Sequence, residues 1–297
     1  MISVIITAYK EENTIGKAIE AFLRSKFPDK YEILVLAPDT ETLEAARKFT
    51  KKSRNLKVIQ DPGKGKPTAL NLAFKKAKGK ILIFTDGDVH VDKTAIPNLL
   101  SPFSDQKIGA VAGHPVSINN RKTMLGFWSH LLTDIADIRR RKAIKIRKRF
   151  YCSGYLYAMR AGIVNEIPEN VLVDDGYISH LVWEAGYKIA YSPESKVCVK
   201  YPTNVKDWLK QKLRSAGGYI QLKDMQNVEI RSLKKESSGF LDFFRYVKSF
   251  KEFIWLGSLF LTRLYLWFLI IYNFKIKREL EKEGHLKKIW KRVDSTK

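Results

Sequence analysis

Acidic and polar residues cluster in this chain where short apolar runs stop, and the chemistry they offer is that of a cation and the anion it carries. Asp86-Gly87-Asp88 follows Ile81-Leu82-Ile83-Phe84, a run too short for a helix and β-prone enough for a buried strand. Its two carboxylates alternate along an extended segment with a glycine between them, so they can share a small hard cation and a diphosphate bound to it. An Asp-Gly turn is the plainer use of the same residues. Asp174-Asp175 follows Val171-Leu172-Val173 and precedes a helix predicted over 177–185. Adjacent like charges oppose double ionisation, whereas a helix start favours a carboxylate, so the two acids are expected to differ and one could act as a base; helix capping is the alternative.

Cationic groups could serve the same chemistry. Gly63-Lys64-Gly65-Lys66 is a flexible loop directly before Pro67-Thr68-Ala69-Leu70-Asn71, where backbone N–H groups at a helix start and a lysine can approach phosphate. Its glycine spacing is not that of a Walker A loop, and a surface turn explains it nearly as well. Gln211 and Arg214 stand one turn apart on a predicted helix, where they could share one cleft, Arg214 stabilising a leaving diphosphate, or simply form a solvated face.

The elements that must position these groups alternate. Strands are predicted at 2–6, 32–36, 56–59, 80–84 and 108–112, with helices at 15–24, 42–49 and 67–77 between them. That order predicts a doubly wound, Rossmann-like α/β sheet, mixed but mostly parallel and flanked by helices, whose ligands gather at the carboxyl ends of the strands. With 297 residues, 45% of them hydrophobic, the chain can bury a full core, which excludes a disordered protein. Cys152 and Cys198 have no metal-ligand spacing and are expected to be reduced, as in a cytoplasmic setting. The first residues carry no basic segment and too short an apolar run for a signal peptide, so they are expected to belong to the fold.

Charge and hydropathy point to a surface partner. Lys and Arg number 54 against 31 Asp and Glu, a formal charge of +23, which calls for an anionic partner such as phospholipid, nucleic acid or a phosphorylated substrate. Residues 119–150 read as helical and end in Arg139, Arg140, Arg141, Lys142, Lys145, Arg147, Lys148 and Arg149, with no acid between 139 and 149 to serve as partner. From 239 onward Phe240, Phe243, Phe244, Val247, Phe250 and Ile254 recur at helical spacing with Arg245, Lys248 and Lys251 between them, a basic amphipathic pattern. The run 256–272 then has 17 residues with Arg263 as its only charge, marginal for a bilayer crossing. An in-plane or partly inserted helix is favoured over a span or a packed core helix, because it places Trp255, Tyr265, Trp267 and Tyr272 near headgroups without burying Arg263 in hydrocarbon.

Taken in order, these residues resemble the family 2 glycosyltransferases, the inverting group with the GT-A fold. The resemblance runs from Val4-Ile5-Ile6-Thr7-Ala8-Tyr9-Lys10-Glu11-Glu12 through Ala37-Pro38-Asp39, Gly65-Lys66-Pro67-Thr68-Ala69-Leu70-Asn71 and Asp86-Gly87-Asp88. It continues through Ser153-Gly154-Tyr155-Leu156-Tyr157-Ala158-Met159-Arg160 and Asp174-Asp175, with Gly186-Tyr187-Lys188 beyond, to Gln211-Lys212-Leu213-Arg214. It implies that Thr7, Tyr9, Glu11 and Asp39 hold the nucleoside, that Lys66 and Asp86 help with ribose or phosphate, and that Asp88 ligates Mg2+ or Mn2+. It further implies that Asp175, beside Asp174, deprotonates the acceptor, that Ser153 and Gly154 border the acceptor, and that Gln211 and Arg214 close the diphosphate end. Two positions depart from the family pattern. Asp174 replaces the usual glutamate, and Ser215 stands where the processive synthases carry the tryptophan of QxxRW.

The expectation is therefore a metal-dependent transferase domain over 1–235 and membrane-associated helices over 236–297, at the cytoplasmic face of the cell membrane, peripheral or single-span. Its partners would be a nucleotide-sugar, with Asp39 inclining towards UDP over GDP, and a glycan or lipid-linked acceptor on an anionic membrane surface, with no nucleic acid. A processive polysaccharide synthase, a nucleotidyltransferase and a non-catalytic basic membrane-binding protein remain as rivals.

Overall fold

The computed structural model describes residues 1–226, 243, 246–273 and 296. Among these, β1 (Ile2–Thr7), β2 (Tyr31–Ala37), β3 (Leu56–Gln60), β4 (Ile81–Asp86), β5 (His90–Val91), β6 (Ile108–Ser117), β7 (Leu156–Arg160) and β8 (Lys188–Val199) form one sheet in the order β3-β2-β1-β4-β7-β6-β8-β5. The helices are α1 (Ile15–Leu23), α2 (Thr40–Arg47), α3 (Lys66–Lys76), α4 (Ala95–Leu100), α5 (Met124–Lys145), α6 (Asp174–Glu184), α7 (Val205–Gln226) and α8 (Phe250–Ile271). By contacts the chain divides into two units, Met1–Val116 with Asp137–Lys200, and Ser117–Ala136 with Tyr201–Thr296.

In the first unit the amino-terminal half follows the predicted alternation. β1 is buried at every residue and β2 at all but its first, as continuous apolar runs require when helices cover both faces of a parallel sheet. β1 pairs in parallel with β2 and with β4, and the register sets Thr7 opposite Leu36 on one side and Asp86 on the other. Three strands thus end level, and the segments that follow them open at one edge.

The other half of the sheet departs from the βα alternation. β7 runs antiparallel to β4 and β6 antiparallel to β7, and β5 pairs antiparallel with β8. Alternation could not reveal these pairings, because they join segments far apart in sequence. Their consequence is local: with Thr85 opposite Leu156, the residues that enter β7 lie at the carboxyl end of β4. The Thr85 hydroxyl donates to the Tyr155 carbonyl there at 2.8 Å.

Several boundaries differ from the sequence expectation. The pair Asp174-Asp175 does not precede α6 but forms its first turn, where free N–H groups and the helix dipole favour acids. The basic run at the end of α5 has an acidic partner after all, one turn upstream of the window read: Arg141 Nε donates to Asp137 at 2.9 and 3.0 Å. Arg140 and Arg149 lie over the rings of Tyr191 and Trp183, so part of the run is engaged within the protein. Both cysteines are free thiols, and burial pushes that of Cys152 up to about 12.

The second unit is a helical cluster. Leu125, Phe127, Trp128 and Leu131 of α5 pack with Trp208 of α7 and with Leu256, Leu259, Leu266 and Ile270 of α8. The amphipathic helix predicted from 239 does not run through to 254, since residues 246–249 are not helical. Ser249 instead caps a new helix, its hydroxyl accepting from Glu252 N–H at 3.2 Å while the Glu252 carboxylate accepts from Lys248 N–H at 2.7 Å. Phe240, Phe244 and Arg245 lie outside the described residues, as do Lys275, Lys277 and Arg278, which follow the apolar run in the sequence, and the predicted boundary at 235.

Asn71 ties α3 to the segment before α6. Its side-chain amide donates to Ile167 O at 2.8 Å and its carbonyl accepts from Ile167 N–H at 2.9 Å, both in the buried interior. Asn71→Ala leaves two buried backbone groups unpaired and is expected to cost on the order of 2 to 4 kcal/mol, read as a lower urea midpoint at unchanged slope. A loss below about 0.5 kcal/mol would contradict this role.

Candidate active site

The level ends of β2, β1 and β4 present Asp39, the 7–11 segment and Asp86 side by side. Asp39 is the N-cap of α2: Oδ1 accepts from Thr42 N–H at 3.1 Å, and Oδ2 accepts from Lys10 N–H at 2.9 Å. Glu11 N–H in turn donates to Thr42 Oγ1 at 2.9 Å, so the segment after β1 is pinned to the start of α2. Lys10 holds a left-handed conformation, with φ of 54°, unusual for a non-glycine residue and maintained by these bonds. Burial opposes ionisation of Asp39, but the donors from Lys10 and Thr42 outweigh it and hold its carboxyl below the ordinary range. Thr42 is a site-shaping residue that the sequence reading missed; the available signal was Asp39 itself, an N-cap residue type shortly before a predicted helix.

Gly65 caps α3 with φ of 115°, a conformation that L side chains rarely adopt, and this turn aims Lys66 at the site. Lys66 Nζ lies 2.7 Å from Asp86 Oδ1 and 3.5 Å from Asp174 Oδ2. Burial disfavours the ammonium, yet the carboxylates of Asp174 and Asp86 more than compensate and raise its pKa above the usual lysine value. Next to Asp86, Gly87 is required by space, since a side chain there would strike the Glu11 carboxylate and Ala8.

The second acid of the later pair is held by two backbone donors. Gly154 N–H donates to Asp175 Oδ2 at 2.7 Å and Gly176 N–H to Oδ1 at 2.8 Å. Burial and the neighbouring Asp174 push Asp175 up to about 6, against the lowering pull of Lys66 and these two amides. A carboxylate so placed can take a proton near neutral pH, the property a general base needs. Ser153 enters β7 beside Gly154 in the same turn.

The structure thus brings Lys66, Asp86, Asp174, Asp175 and Gly154 into direct contact, with Thr7, Tyr9, Glu11, Asp39 and Asp88 on the adjoining strand ends. Gln211 and Arg214 belong to α7 of the second unit. Thr7 Oγ1, Thr68 Oγ1 and the Tyr157 hydroxyl are buried without a hydrogen-bond partner among the described residues. Buried polar atoms are ordinarily paired, and these lie on the elements that carry the site, which fits a polar ligand. Among the described residues no three His, Cys, Asp or Glu side chains gather as a metal cage. The Asp86-Gly87-Asp88 donors suit the other mode, in which Mg2+ or Mn2+ takes one or two carboxylates and substrate phosphate oxygens.

Residues 1–218 match the family described as "Glycosyltransferase like family 2". The probable glycosyltransferase YdaM of Bacillus subtilis is 28% identical over 282 residues, 89% of this chain and 66% of its own. A poly-beta-1,6-N-acetyl-D-glucosamine synthase of Staphylococcus aureus is 26% identical over 231 residues, 73% of this chain and 54% of its own. The chain therefore spans between half and two thirds of the length of these relatives. Among solved structures, the mannosyltransferase PcManGT from Pyrobaculum calidifontis, in complex with GDP-Man and Mn2+, is similar with a TM-score of 0.59 at 19% identity, over 79% of this chain and 66% of that one. S. aureus TarS 1-349 is similar with a TM-score of 0.51 at 15% identity, over 97% and 77%. At such identities the likeness is one of fold.

The electrostatics of Asp175 have a consequence for stability. Its folded pKa lies above the unfolded value, so the penalty for ionising it is absent below the unfolded pKa and complete above the folded one, near 6. Asp175→Asn removes the penalty. The variant is expected to melt higher than wild type at pH 7.5, with the difference shrinking towards pH 4; an equal difference at both pH values would contradict the assignment.

Proposed function

Because this chain belongs to the family 2 glycosyltransferases and has the GT-A type of fold, we propose that it is an inverting, metal-dependent transferase that moves a sugar from a nucleotide-diphospho-sugar to a glycan or lipid-linked acceptor at a membrane. The observation that carries this reading is the convergence of Lys66, Asp86, Asp174 and Asp175 where three strands end level.

In this reading Asp39, fixed by Lys10 and Thr42, faces the nucleobase, with Thr7, Tyr9 and Glu11 beside it, and favours UDP over GDP. Lys66 and Asp86 adjoin the ribose and diphosphate. Asp88 would hold a Mg2+ or Mn2+, and such an ion would offset the charge of the diphosphate. PcManGT, with GDP-Man and Mn2+ in a sheet of the same fold, supports a nucleotide-diphospho-sugar donor and a divalent metal for this chain, while the preference for UDP rests on Asp39 alone.

Asp175 removes the proton from an acceptor hydroxyl as the oxygen attacks the anomeric carbon from the side opposite the diphosphate; the bond from that carbon to the diphosphate oxygen breaks, the nucleoside diphosphate leaves with its electron pair, and the configuration inverts. The amides of Gly154 and Gly176 aim its carboxylate, and burial together with Asp174 keeps its basicity above that of an ordinary aspartate. Ser153 and Gly154 border the acceptor. Residues 1–235 form the transferase domain and 236–297 the membrane-associated part, at the cytoplasmic face; α8, which holds an 18-residue stretch with a mean hydropathy of 1.8, supports that membrane contact.

A processive polysaccharide synthase is the second reading, favoured by the poly-N-acetylglucosamine synthase among the relatives and opposed by Ser215. Product length separates the two.

The first test is the melting temperature of the protein with UDP, GDP or CDP, with and without Mn2+. One nucleotide is expected to raise it in a manganese-dependent way, and Asp88→Ala to abolish the shift. Asp175→Asn should keep the shift and lose turnover by on the order of 10² to 10⁴. Equal loss of nucleotide binding in both variants would refute the division of roles. A base that must be ionised also predicts kcat/KM rising with pH through about 6 and levelling above it; a profile flat from pH 5 to 8 would remove Asp175 as the base.

A further inference from the structure

Resting on the membrane-associated reading above, we infer that α8 lies flat in the membrane interface, one face on the protein and the other in the lipid, and does not cross the bilayer. Length and composition alone allow a crossing: α8 has 22 residues and holds an 18-residue stretch with a mean hydropathy of 1.8, and about 1.5 Å of rise per residue suffices for a hydrocarbon core of about 30 Å. What decides the matter is what packs against it.

Leu256, Leu259, Leu266 and Ile270 run down one face from the second turn to the last and are buried in the core of the second unit. That face is fastened by polar contacts as well. Trp128 Nε1 donates to Trp255 O at 2.8 Å, Ser258 Oγ to Met124 Sδ at 3.4 Å, and Arg121 lies 3.9 Å from Glu252. α7, which packs on α8, carries Lys206, Asp207, Lys210, Lys212, Arg214, Lys223 and Asp224 in its 22 residues. A helix with that many charges does not enter hydrocarbon, so α8 cannot cross the membrane while it keeps its inner face on α7.

The opposite face has the character of a lipid contact. Phe250, Phe253, Leu261, Leu264, Phe268 and Ile271 form a stripe of helical spacing along the whole element, each between 43 and 79% exposed, with no charged residue in the stripe. An apolar surface of this extent on a soluble monomer marks a contact site. Lys248 and Lys251 stand exposed at its amino end, complementary to anionic headgroups, and Tyr265 and Tyr272 place exposed phenols along it. These cations and phenols fit a headgroup boundary, where both residue types gather.

The test uses the full chain with Cys152→Ala and Cys198→Ala, and nitroxides on Phe253→Cys, Leu264→Cys, Ile271→Cys and Leu259→Cys. Oxygen and nickel-chelate accessibility are read on vesicles of 70% phosphatidylcholine and 30% phosphatidylglycerol. Positions 253, 264 and 271 are expected at one common depth, about 5–10 Å below the headgroups, with 259 shielded from both reagents. Leu264→Glu with Phe268→Glu, both on the exposed face, should lower vesicle partitioning at least tenfold without lowering the melting temperature. Depth greatest at 264, with 253 and 271 shallow in opposite leaflets, would establish a span and overturn the inference while leaving the membrane reading intact. Absence of vesicle binding would remove both, and spin–spin broadening at 264 without lipid would assign the face to a second copy.

Discussion

The ammonium of Lys66 is what allows three carboxylates to stand at one edge of the sheet. Asp86 ends β4, while Asp174 and Asp175 begin α6, and without a cation between them their mutual repulsion in a half-buried setting would drive protons on or the segments apart. Lys66 reaches them because α3 starts at a glycine with a positive φ, directly after β3 returns the chain to the same edge. The arrangement leaves a graded set of groups: Asp39, held below the ordinary range by its donors, and Asp175, held above it by burial and by its neighbour.

That gradation comes from backbone amides as much as from side chains. Asp39 spends its oxygens on Lys10 and Thr42, which fixes the 7–11 segment, whereas Asp175 takes its two bonds from Gly154 and Gly176. A side chain at residue 87 would push on Glu11, so the carboxylate-bearing turn after β4 keeps its place only with glycine there. Rigid strand ends and short, bonded connections are the means by which a site of this kind is kept in geometry before a substrate arrives.

In the second unit the organising constraint is hydrophobic. Trp128, Phe127 and Trp208 meet the inner face of α8, and the outer face of that helix stays apolar with nothing from the described residues covering it. A helix that is apolar all round ordinarily belongs in a core or a bilayer; here one face has the first environment, and lipid is the occupant argued for the second. The 17-residue run in the sequence and the 22-residue helix in the structure differ because Ser249 and Glu252 start the helix a full turn and a half earlier than hydropathy alone marks it.

The sequence by itself determined the parallel half of the sheet, because apolar runs of strand length alternating with amphipathic helices have few other ways to bury both faces. It also marked candidates for chemistry, since Asp86-Gly87-Asp88, Asp174-Asp175 and Lys66 stand out by type and by their position near the ends of apolar runs or the start of a helix. Only the tertiary structure decided which of these meet. The Lys66 contact with Asp174 spans more than a hundred residues, and the Gly154 amide reaches Asp175 through the antiparallel pairing of β7 with β4. Local periodicity carries no record of such pairings, because it reports which face of an element is buried and not which element it is buried against.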